Sequence, residues 1–124
     1  MKILLAEDDH NISTIAKLAL EKLGGHEVTV ADNGARALEL AKAGGFDVIL
    51  LDEMMPKMNG LAVCKQYLAE VSAPVPVIFL SAKSQESDIR EFRNLAWGYI
   101  SKPFDPMTLN QQINAVLTAQ KAVA

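Results

Sequence analysis

Short, nearly continuous apolar runs alternate along the chain with longer segments whose apolar positions recur at helical spacing. The runs are Ile3–Ala6, Val28–Ala31, Val48–Leu51, Val77–Leu80 and Tyr99–Ser101. Their shortness and apolar continuity suit central parallel strands buried on both faces. The segment His26-Glu27-Val28-Thr29-Val30 alternates instead, as an edge strand does. Between the runs, Ile12, Ile15, Ala16, Ala19 and Leu23 mark a first helix stopped by Gly24-Gly25. A second helix is expected from Gly34 to Ala43, after Asp32-Asn33 as cap candidates and before Gly44-Gly45. A third, Gly60 to Val71, sets Leu61, Cys64, Leu68 and Val71 on one side. A fourth, Gln85 to Leu95, is marked only by Ile89, Phe92 and Leu95. The last opens with Asp105 as cap and Pro106 in the first turn, and its stripe is Leu109, Ile113, Val116 and Leu117.

Five strands alternating with five helices imply parallel βα units with right-handed crossovers, a doubly wound α/β fold. No linker, low-complexity tract or charge block divides the chain, so residues 1–124 read as one domain. Open parallel sheets bind ligands beyond the carboxyl ends of their strands, so the residues that end each strand carry the functional information.

Composition narrows the classes. Half of the 124 residues are hydrophobic, enough for a real core, and a single cysteine excludes a disulfide framework or a cysteine metal cage. No apolar run approaches the roughly 18–20 residues that cross a bilayer, and Glu7-Asp8-Asp9 follows the start too soon for a secretory signal. A net charge of −3 argues against a basic nucleic-acid surface. A cytoplasmic domain that touches neither nucleic acid nor membrane is the expectation.

The strand ends are chemically distinctive. Strand one runs into Glu7, Asp8 and Asp9, strand three into Asp52 and Glu53, strand four into Ser81, and strand five into Ser101-Lys102-Pro103. In the expected fold, these carboxylates, a hydroxyl and an ammonium share one rim. Carboxylates this close repel unless a cation compensates. A hard divalent ion such as Mg²⁺ prefers such oxygens, and Lys102 adds a fixed positive charge. An Asp kept ionised there can act as a nucleophile and form an acyl phosphate. Taken singly, Asp9 reads as a helix cap, Ser81 as a turn residue, Lys102 as a solvated lysine and Glu53 as a solvated neighbour. The ordered set carries the functional reading.

The segments Ile3-Leu4-Leu5-Ala6-Glu7-Asp8-Asp9, Leu51-Asp52-Glu53-Met54-Met55-Pro56-Lys57-Met58-Asn59-Gly60, Leu80-Ser81-Ala82 and Tyr99-Ile100-Ser101-Lys102-Pro103-Phe104 carry a resemblance. Over essentially its whole length the chain resembles the receiver domain of two-component response regulators, of the chemotaxis-regulator kind. The resemblance implies a flavodoxin-like five-stranded sheet in the order 2-1-3-4-5. It implies Asp52 as phosphoacceptor, with Asp8 and Asp52 as direct Mg²⁺ ligands. Glu7 would act through water and the Met54 backbone carbonyl would complete the protein ligands; Mn²⁺ could substitute. Asp8-Asp9 is the alternative acid pair if the register slips by one. Ser81 is similar to the switch hydroxyl, Lys102 to the lysine that pairs with the phosphoryl group, and Tyr99 to the aromatic residue that turns inward. The Lys102-Pro103 bond is expected to be cis.

The implied partners are a sensor histidine kinase or histidine phosphotransfer protein and a downstream effector or fused output domain. The fourth helix, fifth strand and fifth helix form the implied output face and a possible dimer contact. Such a domain catalyses only its own phosphorylation and dephosphorylation and is not an enzyme in the usual sense. A stand-alone receiver and a fragment of a longer regulator both fit.

The chain departs from the family pattern at Asn94-Leu95-Ala96-Trp97-Gly98, and the stretch from Ser81 to Lys102 is about one residue short. Trp97 with Phe92 would form an apolar partner patch, or Trp97 would cover the shortened turn while Phe92 faces the core. Cys64 reads as inert core, His10 as an exposed helix-start residue, and His26 has no readable role. The rival class is a Mg²⁺-dependent phosphohydrolase or Toprim-like domain. The latter wants Asp-x-Asp where this chain has Asp52-Glu53-Met54. Without Glu7, Asp8 and Asp52 the chain has 12 acids against 12 bases, so its acidic surplus equals the proposed pocket.

Overall fold

The computed structural model describes residues 1–82 and 95–123. Its strands are β1 (Lys2–Ala6), β2 (Glu27–Ala31), β3 (Val48–Asp52), β4 (Val77–Ser81) and β5 (Gly98–Ser101). The described helices are α1 (His10–Gly24), α2 (Gly34–Ala43), α3 (Gly60–Glu70) and α4 (Leu109–Val123), the last being the fifth helix of the sequence pattern. The helix expected over 85–95 falls almost entirely outside the described residues. All four strand pairings are parallel, in the order β2-β1-β3-β4-β5. This is the expected doubly wound α/β sheet, with the alternating strand at one edge.

Alternate residues of each central strand feed two cores. Leu4, Ala6, Ile49, Leu51, Val77 and Phe79 face α2 and α3. Ile3, Leu5, Val48, Leu50, Ile78 and Leu80 face α1 and α4. Burial on both faces is why β1, β3 and β4 read as unbroken apolar runs. Each fully buried large apolar side chain contributes about 1.5–3 kcal/mol, which fixes the register against slippage.

Several helix details differ from expectation. In α1 the buried residues are Ser13, Ala16 and Leu20, whereas Ile15 and Leu23 are 48% and 54% exposed. Small residues at Ser13 and Ala16 let the helix backbone approach the sheet, and this turns the bulkier residues outward. In α3 the place expected for Leu68 is taken by Tyr67, whose hydroxyl accepts a hydrogen bond from the Val75 N–H at 2.9 Å, and Leu68 is exposed. The last helix begins at Leu109, because Asp105 caps a preceding turn; its carboxylate accepts from the Met107 N–H at 2.9 Å. Leu109 and Ile113 are fully buried there, with Val116 and Leu117 packed beside them, as the stripe required. The Asn33 carboxamide caps α2 through the Arg36 N–H.

Trp97 is half-buried near the start of β5, its N–H bonded to the Val77 carbonyl, beside Met1, Pro76 and Leu117. It lies at the sheet's amino end, and the patch with Phe92 lies outside the described residues. Cys64 is fully buried, and burial pushes its thiol up to about 11. His10 is exposed at the start of α1.

Candidate functional site

The parallel topology brings the ends of β1, β3, β4 and β5 to one rim. The residues it collects are those at the strand ends. Glu7 follows β1 with its N–H on the Ala31 carbonyl, and Asp52 and Ser81 are the last residues of β3 and β4. Lys102 follows β5, its N–H donated to the Ser81 carbonyl at 2.8 Å and its peptide bond to Pro103 cis. Glu7, Asp8, Asp52, Met54, Ser81 and Lys102 line one cavity of about 410 Å³. Tyr99 lies outside that lining, half-buried on β5 against the core that faces α2 and α3.

One carboxylate oxygen from each of Glu7, Asp8 and Asp52 lies within 4.8 Å of the others. Glu7 and Asp52 are buried and Asp8 is exposed, so the cluster opens to solvent on the Asp8 side. Asp9 is engaged elsewhere: its Oδ1 accepts from the N–H groups of Asn11 at 2.9 Å and Ile12 at 3.2 Å and caps α1. Of the two acid pairs weighed from the sequence, Glu7-Asp8 is the one that faces Asp52.

Lys102 supplies the cavity's positive charge. Its Nζ lies 2.6 Å from Glu7 Oε1 and 3.1 Å from Asp52 Oδ1. One ammonium cannot neutralise two buried carboxylates. Burial, together with the hydrogen bond and charge of Asp52, pushes Glu7 up to about 8. Burial alone would lower Lys102, but its hydrogen bond to Glu7 and the charge of Asp52 outweigh that and hold it above its ordinary value. The other Glu7 oxygen, Oε2, is buried without a hydrogen-bond partner. An orphaned carboxylate oxygen beside two further acids fits a hard divalent cation, which satisfies oxygen lone pairs and charge together.

The loop after β3 is pinned from two sides. The Gly60 N–H bonds to the Glu53 carbonyl at 2.8 Å, and the Gly34 N–H to the Pro56 carbonyl at 3.3 Å. A Cβ on Gly34 would sit 1.7 Å from the Met58 carbonyl oxygen, so the start of α2 touches this loop only as glycine. The loop turns through Lys57, whose φ of 69° lies in the left-handed region. Met54 is thereby fixed at the cavity wall with its side chain outward, and its N–H lies 3.4 Å from Asp52 Oδ1.

Glu53 is not the solvated neighbour expected; it is 7% exposed, and its N–H is tied to the Leu80 carbonyl. His26 has a place that no sequence signal indicates. Its ring bridges the amino terminus, 3.1 Å from Nδ1, and Asn110 Oδ1, 2.6 Å from Nε2. Only the three-dimensional fold brings Asn110 to it.

Comparison with known proteins points the same way. A sequence model described as the response regulator receiver domain matches residues 3–114. The alkaline phosphatase synthesis transcriptional regulatory protein PhoP of Bacillus subtilis is 36% identical over 99% of this chain and 51% of its own length. Protein PilH of Pseudomonas aeruginosa is 38% identical over 94% of this chain and 98% of its own. The receiver domain of the Francisella response regulator 1452 superposes with a TM-score of 0.85 at 31% identity, covering 96% of this chain and 98% of that one. The chain spans about half the length of PhoP and of several other regulators it matches.

Proposed function

The chain belongs to the response regulator receiver domain family, and from that premise we propose that it accepts a phosphoryl group on Asp52 and relays it as a change of surface. The donor is a phosphohistidine on a sensor histidine kinase or a histidine phosphotransfer protein. An Asp52 carboxylate oxygen attacks phosphorus, the P–N bond to the donor imidazole breaks, and the product is an aspartyl phosphate. The observation that carries this reading is the placement of Asp52. It is 5% exposed, lies 3.1 Å from the Lys102 ammonium, and belongs to a cluster of three acids that opens to solvent.

Each neighbour has a task. Lys102, already on Asp52, pairs with the incoming phosphoryl oxygens. Ser81, buried one strand away on β4, offers a hydroxyl to the same group. Asp8, Asp52 and the Met54 carbonyl would hold Mg²⁺ or Mn²⁺, with Glu7 acting through water. The ion would supply the charge neutralisation that in-line phosphoryl transfer requires. Movement of Ser81 toward the phosphoryl group frees space for Tyr99 to turn inward, which alters the face formed by β5 and α4. That face would serve a downstream effector, an output domain or a second copy of the chain. Residues 1–124 act together as one cytoplasmic receiver, with no substrate turned over beyond its own phosphoryl group.

Intact mass spectrometry after incubation with acetyl phosphate and Mg²⁺ tests the reading. A single labile phosphoryl adduct is expected, absent in Asp52→Ala and in samples treated with chelator. Turnover of a phosphoester without an adduct would show a hydrolase instead.

A further inference from the structure

Two methionines are adjacent on the pinned loop and face opposite ways. Met55 is 9% exposed and packs in the core, whereas Met54 is 71% exposed. Met54 also lines the cavity that holds Asp52, Ser81 and Lys102. The loop's hydrogen bonds to Gly34 and Gly60 hold its backbone there. The result is a solvent-reachable thioether on the wall of the phosphoacceptor cavity. A thioether sulfur attacks the oxygen of a peroxide; the O–O bond breaks, the sulfur gains one oxygen and loses two electrons, and water leaves. The product replaces an apolar, flexible side chain with a polar hydrogen-bond acceptor.

We propose that Met54 is a redox modification site: its oxidation to the sulfoxide by a peroxide shortens the life of the phosphoryl group on Asp52. This rests on the phosphoacceptor reading above. An acyl phosphate in this cavity is lost to a water that must enter from the open side and line up with the phosphorus–oxygen bond. Met54 walls that side with methylene and thioether surface, which offers water no strong hydrogen bond and raises the cost of placing one there. The sulfoxide oxygen accepts hydrogen bonds and so retains a water at the cavity wall. The oxidised receiver therefore resets sooner, and methionine sulfoxide reductases return it to its original state. Met107 provides the contrast. It is 69% exposed in the turn before α4 and lies outside the lining of this cavity.

The test starts from the full chain phosphorylated with acetyl phosphate and Mg²⁺ and freed of donor. Half of the sample is treated with hydrogen peroxide. Peptide mass spectrometry locates the sulfoxides, and intact mass follows decay of the adduct. Met54 and Met107 are expected to oxidise ahead of Met55, with the phosphoryl half-life falling several-fold. The fall persists in Met107→Leu, is reversed by sulfoxide reductases, and disappears from the treated-to-untreated ratio in Met54→Leu. An unchanged or longer half-life with Met54 fully oxidised overturns the proposal, as does a fall that survives in Met54→Leu. Absence of any adduct on Asp52 before peroxide is added instead overturns the phosphoacceptor reading itself.

Discussion

At the scale of the residue, the site is governed by one ammonium shared between two buried carboxylates. Glu7 is 1% exposed and raised from 4.5 to about 8 by burial and by Asp52, despite Lys102 at 2.6 Å. Native Glu7 therefore keeps a proton that the unfolded chain surrenders near 4.5. Between those two values native Glu7 binds more protons than the unfolded chain, so its contribution to stability falls as pH rises from 4.5 to about 8 and then levels. A divalent cation competes with that proton. Its affinity rises with pH toward about tenfold per unit while one proton is displaced, and flattens above 8. Calorimetric titration of Mg²⁺ on both sides of that value checks this; Glu7→Gln should flatten the profile, and a pH-independent wild type would refute it. The two neighbouring acids separate cleanly. Asp9→Ala loses the cap bonds to Asn11 and Ile12 and costs about 1 kcal/mol in chemical denaturation with Mg²⁺ affinity kept. Asp8→Ala loses Mg²⁺ affinity with little change in stability. The opposite outcome would place the metal pair one residue later.

At the scale of the element, packing decides which sequence signals are readable. β1, β3 and β4 are legible because both faces are buried, and β2 because its alternation belongs to an edge. The residues gathered in the cavity were legible for a related reason: Glu7, Asp52, Ser81 and Lys102 stand at or just after a strand end, and parallel strands all end on one rim. Helix faces were less so. Period alone does not tell Ile15 from Ala16, and α1 buries the smaller one to approach the sheet. Nor could spacing show that Lys102 reaches Glu7, 95 residues earlier in the chain, or that Glu53 is buried. The glycines divide by the same logic. At Gly25, φ is 67° and nothing lies within 4 Å of an added Cβ, so Gly25→Ala costs only the left-handed penalty of about 1–2 kcal/mol. Gly34→Ala drives a Cβ to 1.7 Å from the Met58 oxygen and must displace the loop that carries Met54. It should cost about 1–3 kcal/mol and also weaken Mg²⁺ binding, whereas Gly25→Ala leaves that binding intact. Equal Mg²⁺ affinities in the two variants would show that the α2 contact does not position the loop.

At the scale of the whole molecule, the net charge of −3 equals the three acids drawn together at the carboxyl end of the sheet. The fold draws those acids into one cavity, where the Lys102 ammonium bonds to Glu7 and Asp52. Lys102 and a divalent ion therefore answer the same electrostatic demand, and a fixed ammonium beside the acids also repels an incoming cation. A ligand that binds only the native state stabilises the entire fold, by about 2.7 kcal/mol at a hundred times its dissociation constant. Lys102→Met removes the internal counter-charge and leaves buried carboxylates that only protonation or a metal can relieve. The variant should melt lower than wild type without Mg²⁺, bind Mg²⁺ more tightly, and gain more in melting temperature at a given Mg²⁺ concentration. On the proposed reading its yield of phosphoryl adduct should nonetheless fall, because there Lys102 also meets the phosphoryl oxygens. Thermal melts with and without Mg²⁺, paired with adduct yield by mass, separate these two duties. A smaller Mg²⁺-dependent gain in the variant would mean that Lys102 and the metal do not compete for one balance of charge.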